Sequence, residues 1–253
     1  MEMIRNDISF VRNGCNLHCE LLLPEEGRGP FPVVILSHGF NGCSEHSIPY
    51  AEIFLKHGIA AVIFDFIGGA MESKSGGRME DMSVKTEEGD LLAVMEKVCS
   101  LPELDSKNLV LLGRSQGGLV SAMAAAGRED QVRGLILLYP AFNIPGDLKK
   151  MYPDPEKVPQ RQEFLGAVVG RNYYEDAVNL DVEKTQKSFR GPVLIIQGQK
   201  DPVVWPGTAE IAAGRYENCR LVRLPEAGHG FSGEDFEKAA AESVRLVLES
   251  INT

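Results

Sequence analysis

No stretch of this chain approaches the run of about 18 apolar residues that spans a membrane, and no basic segment followed by an apolar one opens it. Neither a membrane partner nor an export signal is expected. Positive charge is also short: 26 Lys and Arg stand against 36 Asp and Glu, for a net charge of -10 with no basic run. A surface that neutralises phosphates needs a basic patch, so no nucleic acid is expected as a partner. Cysteines are few and odd in number, at positions 15, 19, 43, 99 and 219. Such a set reads as reduced thiols in a cytoplasmic protein. Cys15, His18 and Cys19 lie close together, but no second ligand pair follows at zinc-site spacing, so no metal is expected. Internal repeats and low-complexity segments are absent too.

What is present is enough for a large core. The 253 residues suit one large α/β domain or two small ones. The centre of the pattern is Leu109-Val110-Leu111-Leu112-Gly113-Arg114-Ser115-Gln116-Gly117-Gly118-Leu119, a short apolar run that breaks into G-x-S-x-G. Leu119, Val120, Met123 and Ala124 then follow at helical spacing. G-x-S-x-G alone could be a glycine-bracketed loop with an incidental serine. The strand, turn and helix around it make it a nucleophile elbow, in which Gly113 and Gly117 leave room for a sharply turned backbone.

The flanking pattern alternates. Ile8 to Arg12 and Leu17 to Leu23 are β-prone and joined by Asn13-Gly14, which predicts an antiparallel pair. Apolar runs at 33–36, 60–64, 134–139 and 193–197 predict strands buried on both faces, and 221–224 a last one. Helical spacing appears at 48–57, 84–99 and from Phe236 to Ile251. Leu91, Leu92, Met95 and Val98 are expected on one face of the second of these helices. The long loop 65–83 carries four glycines. Alternation of this kind implies an α/β fold, a mainly parallel sheet with helices on both faces. Residues 143–188 break the pattern with four prolines and no buried-strand run. The segment is too long for an ordinary connection. It is expected to be a small inserted cap, on a core formed by 1–142 and 189–253; a helical excursion away from the site is the competing reading.

A serine needs a base to take its proton and a third group to orient that base. In this architecture the order along the chain is Ser, then Asp or Glu, then His. His229 is the only histidine after Ser115, in a glycine-flanked loop beyond the last strand. Asp201, just past the 193–197 strand, is the expected acid, with Pro202 holding it out of helical geometry. Glu226, Asp176 and Asp181 compete for the role. An oxyanion hole needs two backbone N–H groups, expected from Phe40 and Gln116. His38 and Asp65 are expected to fix loops.

Taken together, His38-Gly39-Phe40, Gly113-Arg114-Ser115-Gln116-Gly117, Asp201 and Gly228-His229-Gly230-Phe231 resemble the α/β-hydrolase fold superfamily. The HGF loop, the S-Q-G-G elbow, Glu80-Asp81-Met82-Ser83 and the length of the cap are more narrowly similar to bacterial cinnamoyl (feruloyl) esterases. That resemblance implies a cap that holds a phenolic acyl group, with Tyr173 or Tyr174 facing the ligand. Two departures stand out: Arg114 occupies a position where many relatives have His, and Ile67-Gly68-Gly69-Ala70 replaces the more usual Gly-His-Gly.

The expected activity is that of a serine carboxylesterase working through an acyl-enzyme, without a cofactor. Its partner would be a small-molecule ester, and a homodimer is left open. A monoacylglycerol lipase, thioesterase or acyl-peptidase could use the same triad. A catalytically idle ligand-binding protein is the rival outside enzymes.

Overall fold

The computed structural model describes residues 3–251. Its centre is an eight-stranded sheet in the order β1-β4-β6-β5-β7-β8-β11-β12. The strands are β1 (Ile4–Asp7), β4 (Cys19–Leu23), β5 (Phe31–Ser37), β6 (Ala60–Phe64), β7 (Leu104–Arg114), β8 (Gly134–Leu138), β11 (Val193–Gly198) and β12 (Cys219–Leu224). β1 and β4 pair antiparallel, as do β4 and β6; every pairing from β6 to β12 is parallel.

The continuous apolar runs follow from coverage of both faces. Successive side chains of a strand point to opposite sides. Thus Val33, Ile35, Leu109 and Leu111 join one core with α2 (Val84–Cys99) and α3 (Gln116–Gly127). Val34, Leu36, Val110 and Leu112 join the other, with α1 (Ile48–Lys56) and α8 (Gly233–Ile251). Helix α7 (Gly207–Arg215), which the sequence pattern does not announce, packs Ala209 and Ala212 into the first core.

The opening pair differs from expectation. Residues 8–23 do not form one hairpin: β2 (Phe10–Arg12) pairs with β3 (Cys15–Leu17) in a small separate sheet, while β4 turns to pair with β1. Asn13-Gly14 does make the tight turn, with φ of 49° and 77°. Strand β1 was hidden because its four residues are all exposed and carry no apolar alternation. In the helices, Val94 rather than Leu92 completes the buried face of α2, and Leu248 of α8 is turned to solvent at 36% exposure. Glu87 and Asp90 also lie on the buried face of α2, so that face is not purely apolar.

Between β8 and β11 the chain forms α4 (Ile144–Met151), a hairpin of β9 (Arg161–Phe164) and β10 (Ala167–Gly170), α5 (Arg171–Ala177) and α6 (Val182–Lys187). The hairpin is unannounced because each strand has four residues, and its turn is made by Leu165 and Gly166 at φ of 46° and 80°. A leucine in the left-handed region gives none of the usual Asn-Gly signal.

Candidate active site

Ser115 sits between the end of β7 and the start of α3 with φ 52° and ψ −120°, a conformation that ordinary residues avoid. Its surroundings hold it there. The Ser115 N–H donates to Leu138 O at 3.0 Å, and its carbonyl accepts from Gly118 N and Ala141 N, both at 2.9 Å. A Cβ on Gly113 would stand 2.2 Å from the Gly117 carbonyl oxygen, and one on Gly117 would stand 2.2 Å from the His38 carbonyl oxygen. Both glycines are therefore demanded by close backbone approach.

Ser115, His229 and Asp201 come together although they are far apart in the chain. Asp201 Oδ2 accepts from His229 Nδ1 at 2.8 Å, and His229 Nε2 lies 3.0 Å from Ser115 Oγ. A carboxylate can only accept, so Nδ1 carries the proton and Nε2 is left to accept from the serine hydroxyl. Asp201 is itself clamped: Val203 N and Val204 N donate to Oδ1 at 2.8 and 2.9 Å, and Gln197 Nε2 donates to Oδ2 at 3.1 Å. Tyr139, which sequence reasoning passed over, lays its ring edge-on to His229 with centroids 4.7 Å apart. The competing acids are spent elsewhere. Glu226 pairs with Lys200, Asp176 accepts from Ser83 Oγ, and Asp181 accepts from Lys184 N at the start of α6.

Phe40 lies in the loop after β5, and Gln116 is the first residue of α3. Among the described residues neither backbone N–H has a hydrogen-bond acceptor, as expected for the first N–H of a helix. His38 fixes the Phe40 loop: its Nδ1–H donates to Gly39 O at 2.8 Å and its Nε2 accepts from Phe66 N at 3.1 Å. Burial pushes this imidazole down to about 4, which keeps it neutral. Asp65 fixes the neighbouring loops by accepting from Ser44 N and Lys74 N, each at 2.7 Å. Burial alone would raise its carboxyl, but these donors outweigh it and hold the group below its ordinary value.

Beneath the elbow runs a buried polar chain. Tyr173 Oη donates to Gln116 Oε1 at 2.7 Å, and Gln116 Nε2 donates to Glu87 Oε2 at 2.8 Å. Burial pushes the Glu87 carboxyl up to about 8, with the Gln116 bond opposing, and its Oε1 has no partner. Sequence reasoning missed Glu87. A glutamate at a core-facing position of α2 was the available signal.

Two clefts meet at Ser115. One, of about 320 Å³, runs under the β8–β11 segment among Phe40, Ile144, Leu148, Phe164, Leu165 and Tyr173. The other, of about 380 Å³, includes Asn41, His46, Arg114, Tyr139 and His229. Tyr173 therefore lines a cleft, whereas Tyr174 turns away and donates to Tyr152 O at 3.3 Å. Among the described residues no cluster of His, Cys, Asp and Glu could hold a metal ion, and no helix is long and apolar enough to cross a membrane.

Residues 29–179, more than half of the chain, match the family described as Serine aminopeptidase, S33. The chain belongs to this α/β-hydrolase family. Residues 174–250 of the hydrolase also match a family described as TAP-like protein. The structure of Est1E from Butyrivibrio proteoclasticus, solved with ferulic acid bound, superposes with a TM-score of 0.90 at 28% identity, covering 97% of this hydrolase and 100% of that chain. The DcsB complex with its substrate analogue shares the fold, at a TM-score of 0.79, 18% identity and coverage of 100% of both chains. Protein bem46 of Schizosaccharomyces pombe is 24% identical over 78% of this chain and 60% of its own length. Thiohydrolase aneE of Aspergillus aculeatus is 30% identical over 69% of this chain and 63% of its own. The hydrolase thus spans about three fifths of these two curated relatives.

Proposed function

We propose that this hydrolase is a serine carboxylesterase that turns over through an acyl-enzyme, and that it favours esters of aromatic, cinnamoyl-type acids. The hydrogen-bonded relay of Asp201, His229 and Ser115 at the elbow carries the reading. His229 Nε2 takes the Ser115 proton as Oγ attacks the ester carbonyl. The Phe40 and Gln116 N–H groups meet the oxyanion of the tetrahedral intermediate as charge develops on it. His229 then returns the proton to the leaving alkoxide, the C–O bond breaks, and an acyl-Ser115 remains. Water, deprotonated by the same imidazole, then attacks the acyl carbon. As the bond to Ser115 Oγ breaks, His229 gives that proton back to the serine and the acid leaves. Asp201 keeps the imidazole in the right tautomer and stabilises its cation.

Residues 143–188 act as the cap. Their Phe164 and Tyr173 rings pack with Phe40 at centroid distances of 5.3 and 6.0 Å, and so wall the cleft on the Gln116 side with aromatic groups. Flat aromatic acyl groups suit such a wall. The ferulic acid bound to Est1E, and its similarity across the whole length, support the same choice. The likeness to a thiohydrolase favours thioesters as the second reading.

The test is kcat/KM on methyl ferulate, p-nitrophenyl butyrate, p-nitrophenyl laurate, a short acyl-CoA and an aminoacyl p-nitroanilide, with Ser115→Ala as the blank. A lead for methyl ferulate of about tenfold, or 1.4 kcal/mol, supports the aromatic acyl group. A lead for acyl-CoA replaces it with the thioester, and a lead for the anilide replaces esterase with peptidase. No turnover of any of them, together with no labelling by a fluorophosphonate, overturns the hydrolytic serine.

A further inference from the structure

The two clefts at Ser115 differ in which catalytic group they hold. Only the Asn41–Arg114 cleft contains His229; the aromatic cleft contains Gln116 instead. The general acid must reach the leaving oxygen, so the His229 side receives the alcohol part of the substrate. On that side the charge is of one sign. No Asp or Glu lines the cleft, although the chain as a whole carries a net charge of -10.

Arg114 supplies the fixed charge. Its Nη1 donates to the His46 carbonyl at 2.8 Å, which anchors the guanidinium beside the nucleophile. That bond uses one of five N–H donors, and the Tyr139 hydroxyl in the same cleft is a second, neutral partner of the guanidinium. The buried Nε–H has no acceptor, and among the described residues no carboxylate pairs with Arg114. Glu45, which adjoins His46 in sequence, is taken up by Arg5 and Lys74. Asn41 spends its Oδ1 on Met71 N at 3.0 Å, so its amide N–H groups are the part left for a ligand. A guanidinium held by two neutral oxygens, with donors unspent and no carboxylate partner, is prepared for an anion.

We propose that the cleft on the His229 side binds a leaving group bearing an anionic substituent, a carboxylate or a phosphate, through the Arg114 guanidinium. The inference rests on the esterase reading and adds the class of alcohol. Arg114 adjoins Ser115 in sequence, so an anion held there lies close to the reacting carbonyl and biases which ester is placed for attack. It takes no part in proton transfer.

The test uses four esters of one acid, with ethanol, glycolate, 2-phosphoethanol and choline as the alcohols, on the wild type and on Arg114→Gln and Arg114→Lys. The readout is the kcat/KM of each charged ester relative to the ethyl ester, because differences in intrinsic reactivity cancel when that ratio is compared between variants. The expected result is a fall of about tenfold in the ratio for one or both anionic esters in Arg114→Gln, partial retention in Arg114→Lys, and a rise in the choline ratio. The larger fall tells phosphate from carboxylate. Ratios unchanged by Arg114→Gln overturn the inference while the esterase reading stands. No turnover of any ester overturns both. Should Arg114→Gln fail to fold, the wild type decides: the preference for the anionic esters must shrink between about 0.05 and 0.5 M salt, and a constant preference overturns the proposal.

Discussion

The carboxyl edge of the parallel strands and the segment lying over it are built by different means. Strands β5, β7, β8 and β11 bury Val34, Leu36, Leu112, Leu138 and Ile196 completely and are hydrogen-bonded on both sides, so their ends are held from every direction. The loops bearing Ser115 and Asp201 leave those ends directly. The segment between β8 and β11 is tied down by separate polar contacts: Tyr173 to Gln116, Asn172 Nδ2 to the Met82 carbonyl at 3.0 Å, and Ser83 and Lys85 to Asp176. Bond-making groups must be placed within about half an ångström, which a doubly covered sheet can guarantee. A cavity wall tolerates more movement. On the proposed esterase reading, chemistry belongs to the edge and choice of substrate to the segment.

Substitutions at the edge should then lower turnover of every ester alike. Ser115→Ala is expected to cost about 10⁵-fold or more in kcat with the melting temperature little changed, and Asp201→Asn about 10³- to 10⁴-fold. Loss of one ester but not another on either substitution breaks the division. Substitutions in the segment should instead change ratios. Tyr173→Phe leaves Gln116 Oε1 buried without its donor, for a destabilisation of about 1–3 kcal/mol by chemical denaturation and a shift in aromatic-over-aliphatic preference. An equal fall for all esters would mean that the hydroxyl serves the elbow instead.

The buried carboxyl beneath the elbow joins the two regions, and pH should expose it. Glu87 has its folded value raised to about 8, so between the ordinary glutamate range and pH 8 the folded protein holds more protons than the unfolded chain. Stability therefore falls as pH rises through that window, by up to about 1.4 kcal/mol per pH unit. Below about pH 6.5 the signal is mixed. Asp90, raised to about 6, adds to the fall, while His38, lowered to about 4, makes stability rise with pH. His38 still opposes the fall just above pH 6.5, so the difference between wild-type and Glu87→Gln denaturant melts from about pH 6.5 to 8 isolates Glu87, and the variant should lose the fall with pH. A slope unchanged in that variant removes Glu87 as its source. The smallest effect is at the hairpin tip. Leu165→Asn puts a residue tolerant of positive φ where leucine is strained, which should raise stability by about 0.5–1 kcal/mol and move ester selectivity only a few-fold.

The same division explains what could be read from the chain before it was folded. Leu109 to Leu112, Val33 to Leu36 and Val193 to Gln197 announce themselves because a strand covered on both faces must be apolar at successive positions. Gly113 and Gly117 are equally legible, since no other residue fits where backbone meets backbone. The segment obeys neither constraint. Its hairpin has four-residue strands and a leucine where a turn usually shows asparagine, and Tyr173 and Tyr174 are identical neighbours in the chain that only the fold sends to different surroundings. Glu87 escaped notice because a charged residue on a helix normally marks the solvent face, and only the depth of α2 reverses that meaning.

The segment leaves the sheet after β8 and returns at β11, and those two strands are hydrogen-bonded neighbours, with Leu135 opposite Val193 and Leu138 opposite Ile196. Because these strands run parallel, the segment leaves at the carboxyl edge and re-enters at the amino edge. Its two ends are thus fixed roughly 10 Å along the strands and one strand spacing across them, whatever lies between. The entropy of closing a loop grows only with the logarithm of its length, so inserting or deleting residues here costs little. For descent with modification, this joint is a socket. Lineages can trade one roof for another while the sheet beneath passes on unchanged, and a designer can graft there by the same rule.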